Sequence, residues 1–388
     1  MKKKNPSAIF ILLMAVFILV RSPSVFAVTY EITDLGWVYA NDWWADLDIN
    51  NSGQVAGTAR TGINDYHAFV WDSTLGAQGL STAVASNRSH SYGINLGGDV
   101  VGKDDVVRAN FWDDYGTDGQ PLATSGGRVI ISEAFAVNDS GQSVGNVNLD
   151  GDGIYALIWD NKNAEGQKLG ELSNLSEKPH SKAYDINNAG QAVGIAAAGT
   201  DPDIQPHHAF LWDKDDGMQD LGTLSDKPES HTSHALGIND LGQVVGTSQT
   251  DVGFFHAFLW DNGLMQDIGT LPGFDAAGLL TAGLDINNNR QVVGAAGLDS
   301  ASSRGFLWED DMIHDLNDLI DPNLGWLIEK ASAVNDKGQI VGWGTYEGKK
   351  HGFLLTPPAF GTGGIPEPGT FFLLASGLLG FAFRRRNG

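Results

Sequence analysis

At 388 residues the chain exceeds the usual size of a single hydrophobic core, so it holds either several domains or one repeat array. It has no cysteine, which excludes a disulfide scaffold and thiolate metal ligation, and its formal net charge of -23 excludes recognition of nucleic acid phosphates. Fifty glycines and 10% aromatic residues beside only 18% charged residues point to many short strands joined by tight turns.

The first element is an address. Lys2, Lys3 and Lys4 form a positive start, Ala8 to Val20 is an unbroken apolar run, and Val25-Phe26-Ala27 places small residues at the -3 and -1 positions of a signal peptidase site. Residues 1–27 therefore read as a secretory signal, cleaved before Val28, since the apolar run is short for a spanning helix.

The mature chain opens on Tyr30-Glu31-Ile32-Thr33-Asp34-Leu35-Gly36, a strand pattern with no repeat before it. A connection rich in aromatics follows, with Trp37, Tyr39, Trp43 and Trp44. From there the chain is repetitive. The segment Ala235-Leu236-Gly237-Ile238-Asn239-Asp240-Leu241-Gly242-Gln243-Val244-Val245-Gly246 recurs with its asparagine at 50, 95, 138, 187, 239, 287 and 335, at spacings of 45, 43, 49, 52, 48 and 48 residues. Each copy reads as strand, tight turn and second strand, because Asn and Gly tolerate positive φ and β-branched residues flank them. A third strand follows, as His67 to Asp72, His208 to Asp213 and His256 to Asp261, with weaker versions ending at Trp112, Trp159 and Trp308. A fourth carries Asp-Leu-Gly or its variants, as at Leu221-Gly222 and Ile268-Gly269.

Four strands in about 45 residues is the size of one propeller blade. The seventh repeat stops at Thr356-Pro357-Pro358 without a fourth strand, and the orphan strand at Tyr30–Gly36 supplies one. The fold class expected is all-β: a seven-bladed β-propeller of four-stranded blades over residues 28–358, closed by the N-terminal strand completing the last blade.

Side chains present in every blade are poor candidates for one asymmetric site. The repeated Trp71, Trp112, Trp159, Trp212, Trp260 and Trp308 are expected between blades, and His67, His208, His256 and His351 as hydrogen-bonded structural groups. Binding is expected in the variable connections on the face opposite the Asn-x-x-Gly turns. Three features stand out there. Trp37, Tyr39, Trp43 and Trp44, with Trp326, Trp343 and Tyr346 around the last blade, gather every non-repeat tryptophan near the closure, where aromatic planes suit sugar rings. Asn146, Asn148, Asp150 and Asp152 alternate oxygen ligands with Gly151 and Gly153, a spacing that suggests calcium, the one cofactor considered. The bidentate Glu of such loops is missing, since the twelfth position from Asn148 is Trp159. Finally, His180, His207, His208, His231 and His234 lie near Glu177, Asp201, Asp203, Asp226 and Glu229 in long connections and supply acid–base groups.

Past a linker at 359–365, the chain ends in Pro366-Glu367-Pro368, an apolar run from Phe371 to Phe383, and Arg384-Arg385-Arg386. Residues 366–388 resemble the PEP-CTERM sorting signal. That resemblance implies an exosortase-type partner, transient membrane association and delivery to the surface or exopolysaccharide matrix of a Gram-negative bacterium. Without the terminal cations and Glu367, the body holds 17 Lys+Arg against 46 Asp+Glu. The His-Ala-Phe…Leu-Trp element resembles the extracellular HAF repeat family, which implies a location and a repeat type and no reaction. No His-Glu-x-x-His, phosphate loop or sialidase-type Asp box is present. The reading is a non-catalytic binding or structural propeller, engaging polysaccharide or surface proteins and no nucleic acid. The alternatives are a glycan-active hydrolase or lyase using loop His, Asp and Glu, and a protein–protein scaffold.

Overall fold

The computed structural model describes residues 29–358, apart from 39–46, 63–64, 83–87, 106–107, 114–117, 125, 173–178, 199–205, 228–230, 275–278 and 298–301. The described residues form seven antiparallel sheets, each a four-stranded meander, arranged as the blades of a propeller. Numbered in chain order, the blades have inner strands Leu47–Ile49, Ser89–Ile94, Val129–Val137, Ser181–Ile186, Ser233–Ile238, Thr281–Ile286 and Trp326–Val334. In blades 2 and 3 the linker from the preceding blade adds a two-residue parallel edge, Ser81–Thr82 and Ala123–Thr124. The ring closes as the sequence predicts: Glu31–Trp37 pairs antiparallel with Lys349–Thr356 and is the outer strand of blade 7.

Hydrophobic burial follows the pleat. Consecutive valines point to opposite faces of a strand, and each blade is buried on both faces. Val244 therefore packs toward blade 4 and Val245 toward blade 6, as Val292 and Val293 do toward blades 5 and 7. Seven such clusters fill the seven inter-blade gaps. The repeated tryptophans pack on the preceding blade, with Trp112 and Trp159 fully buried and their indole N–H groups donating to Ser81 O (2.5 Å) and Ala123 O (2.7 Å) of the added edges.

Two repeated elements prove to be partners. His208, His256 and His351 each contact the carboxylate of the neighbouring strand's aspartate, Asp220, Asp267 and Asp34, at 2.8–2.9 Å. The same aspartates accept the N–H of the glycine two residues on, which has positive φ. The His-Ala-Phe histidine and the Asp-x-Gly turn thus hold the third and fourth strands together.

Candidate functional site

The channel is shaped by an irregularity common to the inner strands of blades 2 to 7. Each shifts register three residues before its asparagine, at Tyr92, Phe135, Tyr184, Leu236, Leu284 and Ser332. A bulge re-aims the extra residue, and here it turns these side chains into the channel. With Leu47 they line a waist cavity of about 90 Å³. The bulge also crowds the next strand: a Cβ on Gly194 would lie 1.9 Å from Lys182 O, which is why the Val-Val-Gly pattern ends in glycine.

On the face of the Asn-x-x-Gly turns, hereafter the turn face, the seven repeated asparagines form a closed hydrogen-bonded ring. Each Nδ2 donates to the backbone carbonyl of the next blade's asparagine, from Asn50 to Asn95 and onward until Asn335 returns to Asn50, at 2.8–3.1 Å. Sequence reasoning assigned these residues to turns; the turn role holds, and the ring was missed. An outer rim alternates acid and amide: Asp139, Asn188, Asp240, Asn288, Asp336 and Asn51 bond in succession, and Leu96 interrupts the circle.

Beneath the ring, Asp48, Asp185 and Asp285 occupy one register in blades 1, 4 and 6. Each accepts an N–H from its own strand and one from the next blade (Ile94, Ile238 and Val334) at 2.7–2.8 Å. Burial pushes Asp48 up to about 6 and Asp285 up to about 7, and burial together with the Asp285 charge drives Asp185 well above the carboxylate range. Acids with raised folded values bind more protons folded than unfolded, so stability falls as pH rises through their window. His90, His180 and His234, pushed down to about 4 by burial, act oppositely between about 4 and 6.5. The two sets offset each other there, and above pH 6.5 only the aspartates remain. The unfolding free energy is expected to drop between pH 6.5 and 8 and the drop to shrink in Asp285→Asn; denaturation midpoints flat over that range would refute it.

The opposite, or loop, face carries the imidazoles. The rings of His180 and His207 meet edge-on at 4.5 Å, and the buried His180 Nδ1 has no hydrogen-bond partner among the described residues. Burial and neighbouring cationic groups hold His207 below its ordinary value as well. Lys103 reaches across from blade 2 to Glu133 of blade 3 at 2.6 Å. His231 contacts Lys227 O at 2.9 Å, and Glu177, Asp201, Asp203 and Glu229 lie outside the described residues.

Part of the predicted aromatic group assembles. At the loop-face corner of blade 7 the Trp326 and Tyr346 rings stack at 4.8 Å and 9°, with the His351 ring edge-on to both. Trp37 pairs with His351 along the outer strand. Trp343 packs on the other side of the sheet, toward blade 1, with Lys350 Nζ over its ring at 4.4 Å. Tyr39, Trp43 and Trp44 lie outside the described residues.

The four calcium candidates do not share one loop. Asn146 and Asn148 sit within the strand Ser143–Leu149, paired on both sides, and Asp150 and Asp152 follow in the turn. Asp150 lies 3.5 Å from Arg128, and Asp152 lies 3.7 Å from Lys168. Among the described residues no group of three His, Asp or Glu side chains is placed to hold a metal. Gly141-Gln142-Ser143-Val144-Gly145 matches the spacing of a hydrolase nucleophile motif, but Ser143 starts a buried strand rather than capping a strand-to-helix turn.

Both ends of the propeller leave by the turn face. Glu31 pairs with Thr356, and Tyr30, Pro357 and Pro358 line one cleft of about 540 Å³ with the turn residues Asn289 and Gly338. Pro366, Glu367, Pro368, Arg384, Arg385 and Arg386 lie beyond, outside the described residues.

These features define a seven-bladed β-propeller. Residues 364–386 match the PEP-CTERM protein-sorting motif, which marks the chain for the cell surface or extracellular space and implies processing by exosortase-type machinery. The chain belongs to the family described as Protein of unknown function (DUF3466), matched over residues 123–226 and 217–353. No curated protein matches it significantly. Among solved structures it is similar to an oligogalacturonate lyase in complex with manganese (TM-score 0.55, 11% identity, 86% of this chain and 95% of that one). It is also similar to the β-propeller domain of the Trilobed protease from Pyrococcus furiosus (0.53, 10%, 82% and 95%). A third is a puromycin-hydrolyzing peptidase of Mycobacterium tuberculosis (0.51, 11%, 86% and 52%). At these identities the likeness is one of fold.

Proposed function

We propose that the protein is a non-catalytic display propeller that engages extracellular polysaccharide through its loop face, at the surface or in the exopolysaccharide matrix of a Gram-negative cell. The observation that carries this reading is the Trp326–Tyr346 stack at the loop-face corner, on the side away from both chain ends. Tethered through the turn face, the propeller turns that corner outward, and half-buried aromatic rings on a rigid sheet suit sugar rings. A hydrolase or lyase would draw instead on the loop-face imidazoles. The channel aspartates favour it little, because both oxygens of each accept backbone N–H bonds.

The test is a binding screen of the secreted chain against purified bacterial polysaccharides, with reducing ends followed in parallel. Saturable binding is expected, without new reducing ends, and weakened at least about tenfold in Trp326→Ala and Tyr346→Ala, the loss typical of a stacking contact. Depolymerisation would replace this reading with the enzymatic one. Binding unaffected by both substitutions would remove the aromatic corner from it.

A further inference from the structure

The inner-strand position five residues before the ring asparagine holds His90, Glu133, Lys182, His234, Ala282 and Lys330 in blades 2 to 7. This register faces the channel on its loop side. Lys330 lines the waist cavity, and the His90 ring stacks at 5.9 Å on Tyr92, which lines it too. Four of these six residues are Lys or His in a chain with 24 Lys+Arg and 47 Asp+Glu, so the bias is local and opposes the overall charge. At the other end, two residues before the ring asparagine, stand Asp48, Asp185 and Asp285, with Asp139, Asp240 and Asp336 on the rim. The channel is polarised along its axis, acidic at the turn face and basic at the loop face.

Blades 4 and 5 concentrate the basic end. His180 precedes the inner strand of blade 4, His207 starts its third strand, and His234 lies on the inner strand of blade 5. Lys182 acts on the charge of His180 and His207, His208 (itself against Asp220) on that of His207, and His180 and His207 on that of His234. On the adjacent blade 3, in the same register as Lys182, Glu133 is held by Lys103 of blade 2. Among the described residues the buried His180 Nδ1 has no hydrogen-bond partner outside its own residue. Converging imidazoles and a lysine, with no carboxylate bonded to His180, Lys182 or His207 among the described residues, match the carboxylate of a sugar acid.

We propose that the loop-face mouth of the channel at blades 4 and 5 binds the carboxylate of a uronate unit in an extracellular polysaccharide, with Lys182 as the cation and His180, His207 and His234 as hydrogen-bond donors. The proposal rests on the glycan-binding reading and narrows it to acidic glycans. A bound anion favours the imidazolium form, so binding takes up protons and strengthens as pH falls from neutrality toward the free imidazole values.

Alginate oligomers and dextran oligomers of equal length serve as probes for calorimetric titration of the secreted chain at pH 5 and pH 7.5. The expected result is alginate binding at least tenfold tighter at pH 5, with proton uptake, weakened at least tenfold in Lys182→Gln and in His207→Gln and retained in Lys182→Arg. Melting midpoints confirm folding of each variant, and imidazole NMR shifts on titration report the contact directly if His207→Gln fails to fold. Equal, pH-independent binding of alginate and dextran would overturn the uronate site and leave the glycan reading standing. Alginate binding that survives Lys182→Gln would also overturn the site. Binding of neither probe would overturn both.

Discussion

Asn239→Ala is expected to lower the unfolding free energy by about 3–4 kcal/mol, a loss large beside the roughly 5–15 kcal/mol that holds most domains folded. The side chain is buried and makes four hydrogen bonds. Its Oδ1 accepts from Leu241 N and Gln243 N, and its Nδ2 donates to Gln243 Oε1 and, across the blade boundary, to Asn287 O. Removing it strands two amide donors in the turn and one acceptor contact between blades, each worth about 1 kcal/mol or more when water cannot replace it. Asn188→Ala is the control. Asn188 makes comparable side-chain bonds, its Oδ1 accepting from Asp139 N and its Nδ2 donating to Asp139 and Asp240, but on the exposed rim, so their loss should stay within about 1 kcal/mol. Asn239→Asp should cost more than Ala at neutral pH, because a carboxylate oxygen would then face Asn287 O and Gln243 Oε1. Denaturant unfolding of the three variants measures all of this. Equal losses at positions 239 and 188 would show that the ring contributes no more than solvent-exposed bonding.

The architecture was legible because its signals are local and repeated. A turn of Asn-x-x-Gly-Gln demands positive φ at its glycine, and in six blades a glycine or, in blade 6, Arg290 (φ 64°) takes that conformation as expected. Closure was legible from the unpaired ends. The ring of asparagines was not, because a side-chain bond to a neighbouring repeat leaves no trace beyond the residue's recurrence. Nor were the serines that open the inner strands, such as Ser89 and Ser233, whose Oγ accepts the N–H of Ala68 and Ala209 in the preceding blade. The bulges were equally silent, and they decide which residues line the channel. For the aromatic group, strand parity contained part of the answer: Trp343 and Tyr346 are three apart in one strand and must face opposite sides. The meeting of Trp326 with Tyr346 follows from register, which composition does not encode. Asn146 and Asn148 read as loop ligands because alternating Asn is rare in strands; burial of Val147 between them and Leu149 after them overrides that preference.

Deleting residues 29–36 is expected to abolish cooperative folding or to lower the melting temperature by more than about 10 °C. The strand Glu31–Trp37 supplies a full ladder to Lys349–Thr356, buries Tyr30 against the blade 6–7 cluster, and places Asp34 on His351. Burial of Tyr30 and partial burial of Ile32 alone contribute about 3–5 kcal/mol. The larger effect is topological. Blade 7 also bonds to blade 1 through Asn335 and Asp336, and a cluster of Val38, Leu47, Val341 and Leu354 fills the gap between them. With the outer strand gone, the apolar strand Lys349–Thr356 becomes an open edge, a template for pairing with another chain. A peptide of residues 29–37 should therefore restore monomeric, cooperative unfolding by adding the strand back. An open stack of blades predicts otherwise: loss of one terminal strand would loosen only the end blade and leave the main transition in place. An unchanged midpoint in the deletion would mean that the ring is held by inter-blade packing alone and that the N-terminal strand merely covers an edge.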